Sequence, residues 1–220
     1  MNSVIIPAGG SGSRFSDTQS KLLIDFKGSS IIEQNVSAFI NHHLIDEIIL
    51  VCPKEQLQVF KSKFLKIRNV IITPGGSSRA DSVKNGFNCV SKDASKILIH
   101  DGARPNITKT LISNVLNELN HHPVIIPGIP VTDTLKKVEN NIIVETINRA
   151  TCVAVQTPQG FTRDVLSEAY SRISDIQLFT DEAGLVEHIG IQGKVIAGDK
   201  NNIKITHPND MNYLNFISSL

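Results

Sequence analysis

The chain has 220 residues and a net charge of +1, from 22 basic and 21 acidic side chains. That balance points to neither a nucleic-acid surface nor an acidic tail, so individual basic groups matter more than the total. Its three cysteines, Cys52, Cys89 and Cys152, are scattered and form no C-x-x-C pair, which argues for reduced thiols and against a disulfide framework or a cysteine zinc site. No stretch approaches the ~18 consecutive apolar residues of a membrane span, and no basic segment followed by a long apolar run opens the chain. A cytoplasmic protein without membrane or nucleic-acid partners is expected, forming one domain over residues 1–220 with a sizeable core.

The first element is a short β-branched run, Val4-Ile5-Ile6, feeding Pro7-Ala8-Gly9-Gly10-Ser11-Gly12-Ser13-Arg14-Phe15. A buried strand ending in Gly-Gly-Ser-Gly leaves backbone N–H groups unshielded by side chains, and such a loop can wrap a polyphosphate. Arg14 and, seven residues on, Lys21 add positive charge where a triphosphate would lie. Gly10 and Gly12 have no third glycine at the dinucleotide spacing, and the chain's Gly193-Lys194 is followed by valine, so neither a dinucleotide fingerprint nor a Walker A loop is present. For the glycines alone a plain turn with a solvated arginine is an equal reading; the two cations favour a nucleotide.

Helical spacing then appears at Ile32, Val36, Phe39 and Ile40, and strands are predicted over Glu47 to Cys52 and Asn69 to Thr73. The next loop, Gly75-Gly76-Ser77-Ser78, leads into a helix marked by Ala80, Val83, Phe87 and Val90. Its serines suit an N-cap and can also offer donors to a ligand. A strand over Lys96 to His100 ends in Asp101-Gly102-Ala103-Arg104. There a carboxylate three residues before an arginine can hold a metal–phosphate complex or a substrate hydroxyl, or simply shape a turn. A helix through Leu111, Ile112, Val115, Leu116 and Leu119 and a strand over Pro123 to Pro127 follow. This alternation predicts an α/β fold, a mostly parallel twisted sheet with helices on both faces, whose ligands bind outside the carboxyl ends of the strands.

From Asp133 to Ala150 two strand-like arms flank Asn140-Asn141, which tolerate the positive φ of a tight turn, so a protruding β-hairpin is expected at about 133–150. An isolated hairpin is marginal in water. It must lie on its own domain or on a second subunit. Farther on stand Arg149, Thr157-Pro158-Gln159, Thr180-Asp181-Glu182-Ala183 and Asn202-Ile203-Lys204, which spacing alone cannot bring together. His42-His43 and His121-His122 fall at predicted helix ends and are expected to satisfy terminal carbonyls. No H-E-x-x-H, G-x-S-x-G or cysteine–histidine cluster occurs, so caged-zinc and serine-hydrolase chemistry find no support.

The ordered set P-A-G-G-S-G-S-R, Lys21, G-G-x-x-R-A-D-S-V, H-D-G-A-R-P, P-V-T-D-T, N-R, Q-T-P-Q, T-D-E-A and N-I-K-I-T closely resembles the methylerythritol phosphate cytidylyltransferases of the non-mevalonate isoprenoid pathway. The likeness runs from Val4 to the last helix. It implies a Rossmann-like nucleotidyltransferase fold, CTP and 2-C-methyl-D-erythritol 4-phosphate (MEP) as substrates, and Mg²⁺ bridging triphosphate oxygens. By resemblance, Arg14, Lys21, Arg149 and Lys204 are the catalytic set, with Arg14 and Lys21 stabilising the α-phosphate. Pro7, Ala8, Gly9, Gly10, Gly12, Gly76, Ser77, Ser82 and Asp101 would bind the nucleotide, and Asp101 is the one protein candidate for the metal. Asp101, Arg104, Thr134, Arg149, Thr157, Thr180 and Lys204 would hold MEP. The resemblance also implies a homodimer whose hairpin arms cross, carrying Thr134 and Arg149 to the partner's site. The nearest relative in reaction, CDP-ribitol pyrophosphorylase, fits the R-A-D-S-V and P-V-T-D-T segments less well; a non-catalytic nucleotide-binding protein would not need Arg14, Lys21, Asp101 and Lys204 all intact. Ser20 and Leu22 around Lys21, Gly102 and Asn201 depart from the family pattern.

Overall fold

The computed structural model describes residues 1–9 and 21–218; Gly10, Gly12, Arg14 and Ser20 lie outside the described residues. Along the chain, β1 (Asn2–Pro7) precedes β2 (Asp25–Phe26), β3 (Ser29–Ser30), α1 (Ile31–Ile40), β4 (Glu47–Cys52), α2 (Leu57–Phe64) and β5 (Val70–Pro74). Then come α3 (Arg79–Phe87), β6 (Lys96–Ile99), α4 (Lys109–Glu118), β7 (Val124–Pro130), β8 (Leu135–Glu139) and β9 (Ile142–Ile147). The chain closes with β10 (Val153–Val155), β11 (Gln159–Thr162), α5 (Arg163–Arg172), α6 (Glu182–His188), β12 (Lys194–Ala197) and α7 (Asp210–Ile217).

The main sheet runs β10-β7-β11-β6-β1-β4-β5, with β12 also paired to β7. Pairings β1–β4, β1–β6, β4–β5 and β7–β12 are parallel, while β10 and β11 run antiparallel to their neighbours. The expected mostly parallel sheet is therefore present. Strand order steps outward from β1 through β4 to β5, then returns to place β6 on the other side of β1. This reversal opens a crevice at the carboxyl ends of β1 and β6, where ligands bind in open α/β sheets.

Burial on both faces explains why the central strands read as continuous apolar runs. Val4 and Ile6 of β1 pack with Ile32, Val36 and Phe39 of α1 on one face. Ile5 packs with Ile49, Val83, Phe87 and Phe161 on the other. Helix α3 lies so close to the sheet that a Cβ on Gly86 would come within 2.6 Å of the Ile5 side chain. Capping fixes where the helices begin: Ser78 and Asp81 form a reciprocal box at α3, and Thr108 accepts from the Leu111 N–H at α4.

The hairpin forms as read, a separate two-stranded ribbon of β8 and β9 turning at Asn140 and Asn141, with φ of 50° and 64°. Ile142, at 68% exposure, and Ile143, at 61%, show how little of this arm its own domain covers. One expectation fails. His42 does not cap its own helix but is buried against α4, where Nε2 faces the Lys109 carbonyl (3.2 Å) and the Ser113 hydroxyl (3.0 Å). Its Nδ1 accepts from the Leu44 N–H, which leaves Nε2 as the protonated nitrogen. His121 and His122 are exposed just beyond α4.

Candidate active site

At the end of β1, Pro7 and Ala8 are held by neighbouring loops: Ala8 N–H donates to the Val51 carbonyl (2.7 Å) and Gly102 N–H to the Pro7 carbonyl (3.3 Å). The loop after β5 lies alongside, with Ser82 Oγ 3.9 Å from where a Cβ on Gly9 would stand. Ser82 shapes this loop from inside, accepting from the Gly76 N–H at 3.1 Å and donating to the Ser78 carbonyl at 2.8 Å. Asp81 ties the other side, accepting from Ser77 Oγ (2.6 Å) and the Ser78 N–H (3.1 Å). Capping, one of the two sequence readings of these serines, is thus realised, and it fixes the loop.

Beside this loop is a polar pocket of about 180 Å³ lined by Arg79, Asp101, Arg104, Thr157, Thr180 and Lys204, among others. Asp101 is its hub. Its Oδ2 lies 2.8 Å from Lys204 Nζ and 3.9 Å from Arg104 Nε, and its Oδ1 lies 3.4 Å from Arg79 Nε. Burial works to raise the Asp101 pKa, but the charges of Arg79, Lys204 and Arg104 overcome it and hold the carboxyl well below the usual range. The closest partners are therefore Lys204 and Arg79, more than the Arg104 that the local spacing suggested. The turn itself is closed by backbone, Arg104 N–H donating to the Asp101 carbonyl.

Beneath the hub lies a hydrogen-bonded chain. Asp101 N–H donates to Thr157 Oγ1 (3.0 Å), whose hydroxyl faces His100 Nδ1 (3.1 Å), while His100 Nε2 faces the Arg104 carbonyl (3.1 Å). Since Thr157 Oγ1 already accepts from Asp101, its single proton goes to His100 Nδ1, and His100 donates from Nε2. Burial pushes the His100 pKa down to about 4, so the ring is neutral near pH 7. Over the turn runs a strap of residues 202–205: the Asn202 carbonyl accepts from Arg104 Nη1 (2.7 Å), and Ile205 N–H donates to the Ala103 carbonyl. Lys21 Nζ donates to the Ile205 carbonyl at 2.8 Å, which fastens the lysine that follows the glycine-rich loop to the strap carrying Lys204. Leu22, a departure from the family pattern, is simply buried in the core.

Beyond Pro7, Ala8, Gly9, Gly76, Ser77 and Ser82 around the β1 terminus, and Lys21 on the strap, the expected site residues fall into three groups. Asp101, Arg104, Thr157, Thr180 and Lys204 converge on the pocket. Thr134 and Arg149 do not line it; Thr134 is exposed on the arm, and Arg149 is exposed, with Nη1 donating to the Thr132 carbonyl. Gly10, Gly12 and Arg14 fall outside the described residues. Sequence reasoning missed Arg79, Glu182 and the hydrogen-bonding role of His100. Arg79 carried a weak signal, because a cation at a helix N-terminus opposes the dipole and gains from an acidic partner. The described residues do not suit a resident Mg²⁺. Both Asp101 oxygens already face cations, and no group of three or more His, Cys, Asp or Glu among the described residues could hold a metal.

Solved structures share this architecture closely. The 4-diphosphocytidyl-2C-methyl-D-erythritol synthase of Anaerococcus prevotii DSM 20548 matches with a TM-score of 0.86 at 27% identity, covering 100% of this chain and 98% of that one. The 2-C-methyl-D-erythritol 4-phosphate cytidylyltransferase of Francisella tularensis gives 0.84 at 28% identity, with 98% of each chain covered. Fold and charged crevice together define a nucleotidyltransferase. A family model for IspD, 2-C-methyl-D-erythritol 4-phosphate cytidylyltransferase, matches residues 2–219. The enzyme of that name from Bacillus cereus ATCC 10987 is 39% identical over 215 residues, 96% of this chain and 95% of its own length. The chain belongs to the 2-C-methyl-D-erythritol 4-phosphate cytidylyltransferase family.

Proposed function

We propose that this chain joins CTP and MEP to give 4-diphosphocytidyl-2-C-methyl-D-erythritol and pyrophosphate. The observation that carries the reading is the pocket at the end of β6. There Arg104 and Lys204 converge on one carboxylate, Asp101, and the buried Arg104 Nε has no hydrogen-bond acceptor among the described residues. Such a surplus of donors suits a phosphate, which Arg104 and Lys204 would take from MEP. Thr157 and Thr180 would line the polyol. Pro7, Ala8 and Gly9, with Gly10 and Gly12, would cradle the nucleotide, whose cytosine and ribose would meet Gly76, Ser77 and Ser82.

An oxygen of the MEP phosphate attacks the α-phosphorus of CTP. The bond from that phosphorus to the bridging oxygen breaks, and pyrophosphate leaves with the electron pair. The nucleophile is already an anion, so no strong base is needed, and catalysis is mostly positioning and charge stabilisation. Arg14 and Lys21 neutralise the charge that builds on the α-phosphate. Mg²⁺ travels with CTP as part of the substrate rather than in a protein cage. Arg149 and Thr134 reach the site of a second copy by exchange of hairpins, a reading supported by the exposure of Val138, Ile142, Ile143, Val144 and Ile147. The working protein is then a cytoplasmic homodimer.

Pyrophosphate release from CTP and Mg²⁺, with MEP and ribitol 5-phosphate as alternative acceptors, tests this. Release with MEP is expected. A preference for ribitol 5-phosphate, or equal turnover with ATP, overturns the assignment.

A further inference from the structure

We propose that Arg79 is a positioning residue for the substrate-phosphate subsite. It shares the Asp101 carboxylate with Lys204 and thereby leaves the Lys204 ammonium free enough to engage an incoming phosphate. Arg79 is the first residue of α3, where the helix dipole disfavours a cation. It is held there by acids from two other elements. Its Nη1 donates to both Glu182 oxygens, at 2.9 and 3.2 Å, while Nε reaches Asp101 Oδ1 at 3.4 Å. Glu182 opens α6 and is only 3% exposed, so the guanidinium is clamped from behind and presents its other edge to Asp101. The two oxygens of Asp101 are divided, Oδ1 toward Arg79 and Oδ2 toward Lys204.

The sharing of Asp101 gives the direction of the effect. With Arg79 present, one Asp101 oxygen faces it and only the other faces Lys204 and Arg104. Without it, the whole charge of Asp101 falls on Lys204 and Arg104, and a phosphate must compete for them. The nucleotide loop does not depend on Arg79 in the same way, since Asp81 and Ser82 tie Gly76, Ser77 and Ser78. Loss of Arg79 should therefore be felt by MEP and hardly by CTP.

A purely structural role must be separated, because removing Arg79 alone strands the buried Glu182 carboxylate and destabilises the fold. The test is the double variant Arg79→Met/Glu182→Leu, in which an apolar pair replaces the ion pair, studied beside wild type and Lys204→Ala. Exchanging a buried ion pair for apolar groups is commonly neutral, so the double variant should melt near wild type. Its KM for MEP should nonetheless rise about tenfold or more, as for a misplaced binding group. Its KM for CTP should stay within about twofold, the split expected when only one substrate loses its contacts. A double variant with wild-type KM for MEP, or one in which both KM values rise together, overturns the role of Arg79. Since the inference rests on MEP phosphate meeting Lys204, Lys204→Ala serves as the control. An unchanged KM for MEP there overturns the placement of the phosphate itself, and with it the inference. A raised value there alongside an unaffected double variant overturns only Arg79.

Discussion

Acid should weaken this fold through His100 well before the Asp101 carboxylate titrates. The ring is fully buried, accepts from Thr157 Oγ1 and donates to the Arg104 carbonyl, and burial sets its pKa at about 4. In the unfolded chain it titrates near ~6.5. Because the folded value is the lower one, the unfolded state takes up the proton first as pH falls. The stability tied to a neutral His100 is thus complete above the unfolded value and is lost progressively between roughly pH 6.5 and 4. Carrying the two values through the linkage relation, a drop from pH 7 to pH 5 costs about 2 kcal/mol from this group alone. Asp101, held far below the ordinary range, begins to lose its contribution only below about pH 5, so it adds little between pH 7 and pH 5. Urea unfolding of wild type and His100→Gln at both pH values measures the effect. Glutamine can still reach the Arg104 carbonyl but carries no proton equilibrium, so wild type should lose about 2 kcal/mol more than the variant. Equal losses, or an imidazole nitrogen resonance titrating near the unfolded value, would refute the reasoning.

Lys21→Ala and Arg14→Ala should each lower kcat by roughly two to three orders of magnitude with the fold intact, the usual cost of removing a donor to transition-state charge. Near-normal turnover in Lys21→Ala sinks its assigned role. Arg149→Ala should impair use of MEP far more than that of CTP. Mixed with an inactive Lys21→Ala parent after subunit exchange, it should regain activity, because one site then combines its own lysine with an intact arginine from the other chain. A mixture that exchanges subunits yet stays as inactive as its parents shows that Arg149 acts within its own chain.

The sequence exposed those parts of the fold whose burial is uniform. The run Glu47 to Cys52 is buried at every position of β4, so its limits were readable directly. Strand β7 runs on to Pro130 past its predicted end because β10 pairs with it there, and spacing along the chain does not reveal that pairing. The strands β10 and β12 carry only three apolar residues each, Val153 to Val155 and Val195 to Ala197, and are largely exposed. At the site, Asp101 and Arg104 were legible from local spacing and Lys204 from the N-I-K-I-T segment. Their grouping was not, because Lys204 meets Asp101 only through the strap fastened at Asn202 and Ile205. The Arg79–Glu182 pair spans 103 positions, and sequence spacing carries no information at that range. His100 looked like one more residue at a strand end; its place between Thr157 and Arg104 exists only once β6 and the Gln156–Gln159 segment adjoin.

The central claim is that the crevice between β1 and β6 binds both halves of the reaction, with MEP phosphate on Arg104 and Lys204. A crystal structure with the product 4-diphosphocytidyl-2-C-methyl-D-erythritol bound measures this directly. The cytosine should lie against Gly76–Ser82, and the phosphate derived from MEP should sit within hydrogen-bond distance of Arg104 and Lys204, beside Asp101. A product whose methylerythritol phosphate lies elsewhere, away from Asp101, would contradict the account.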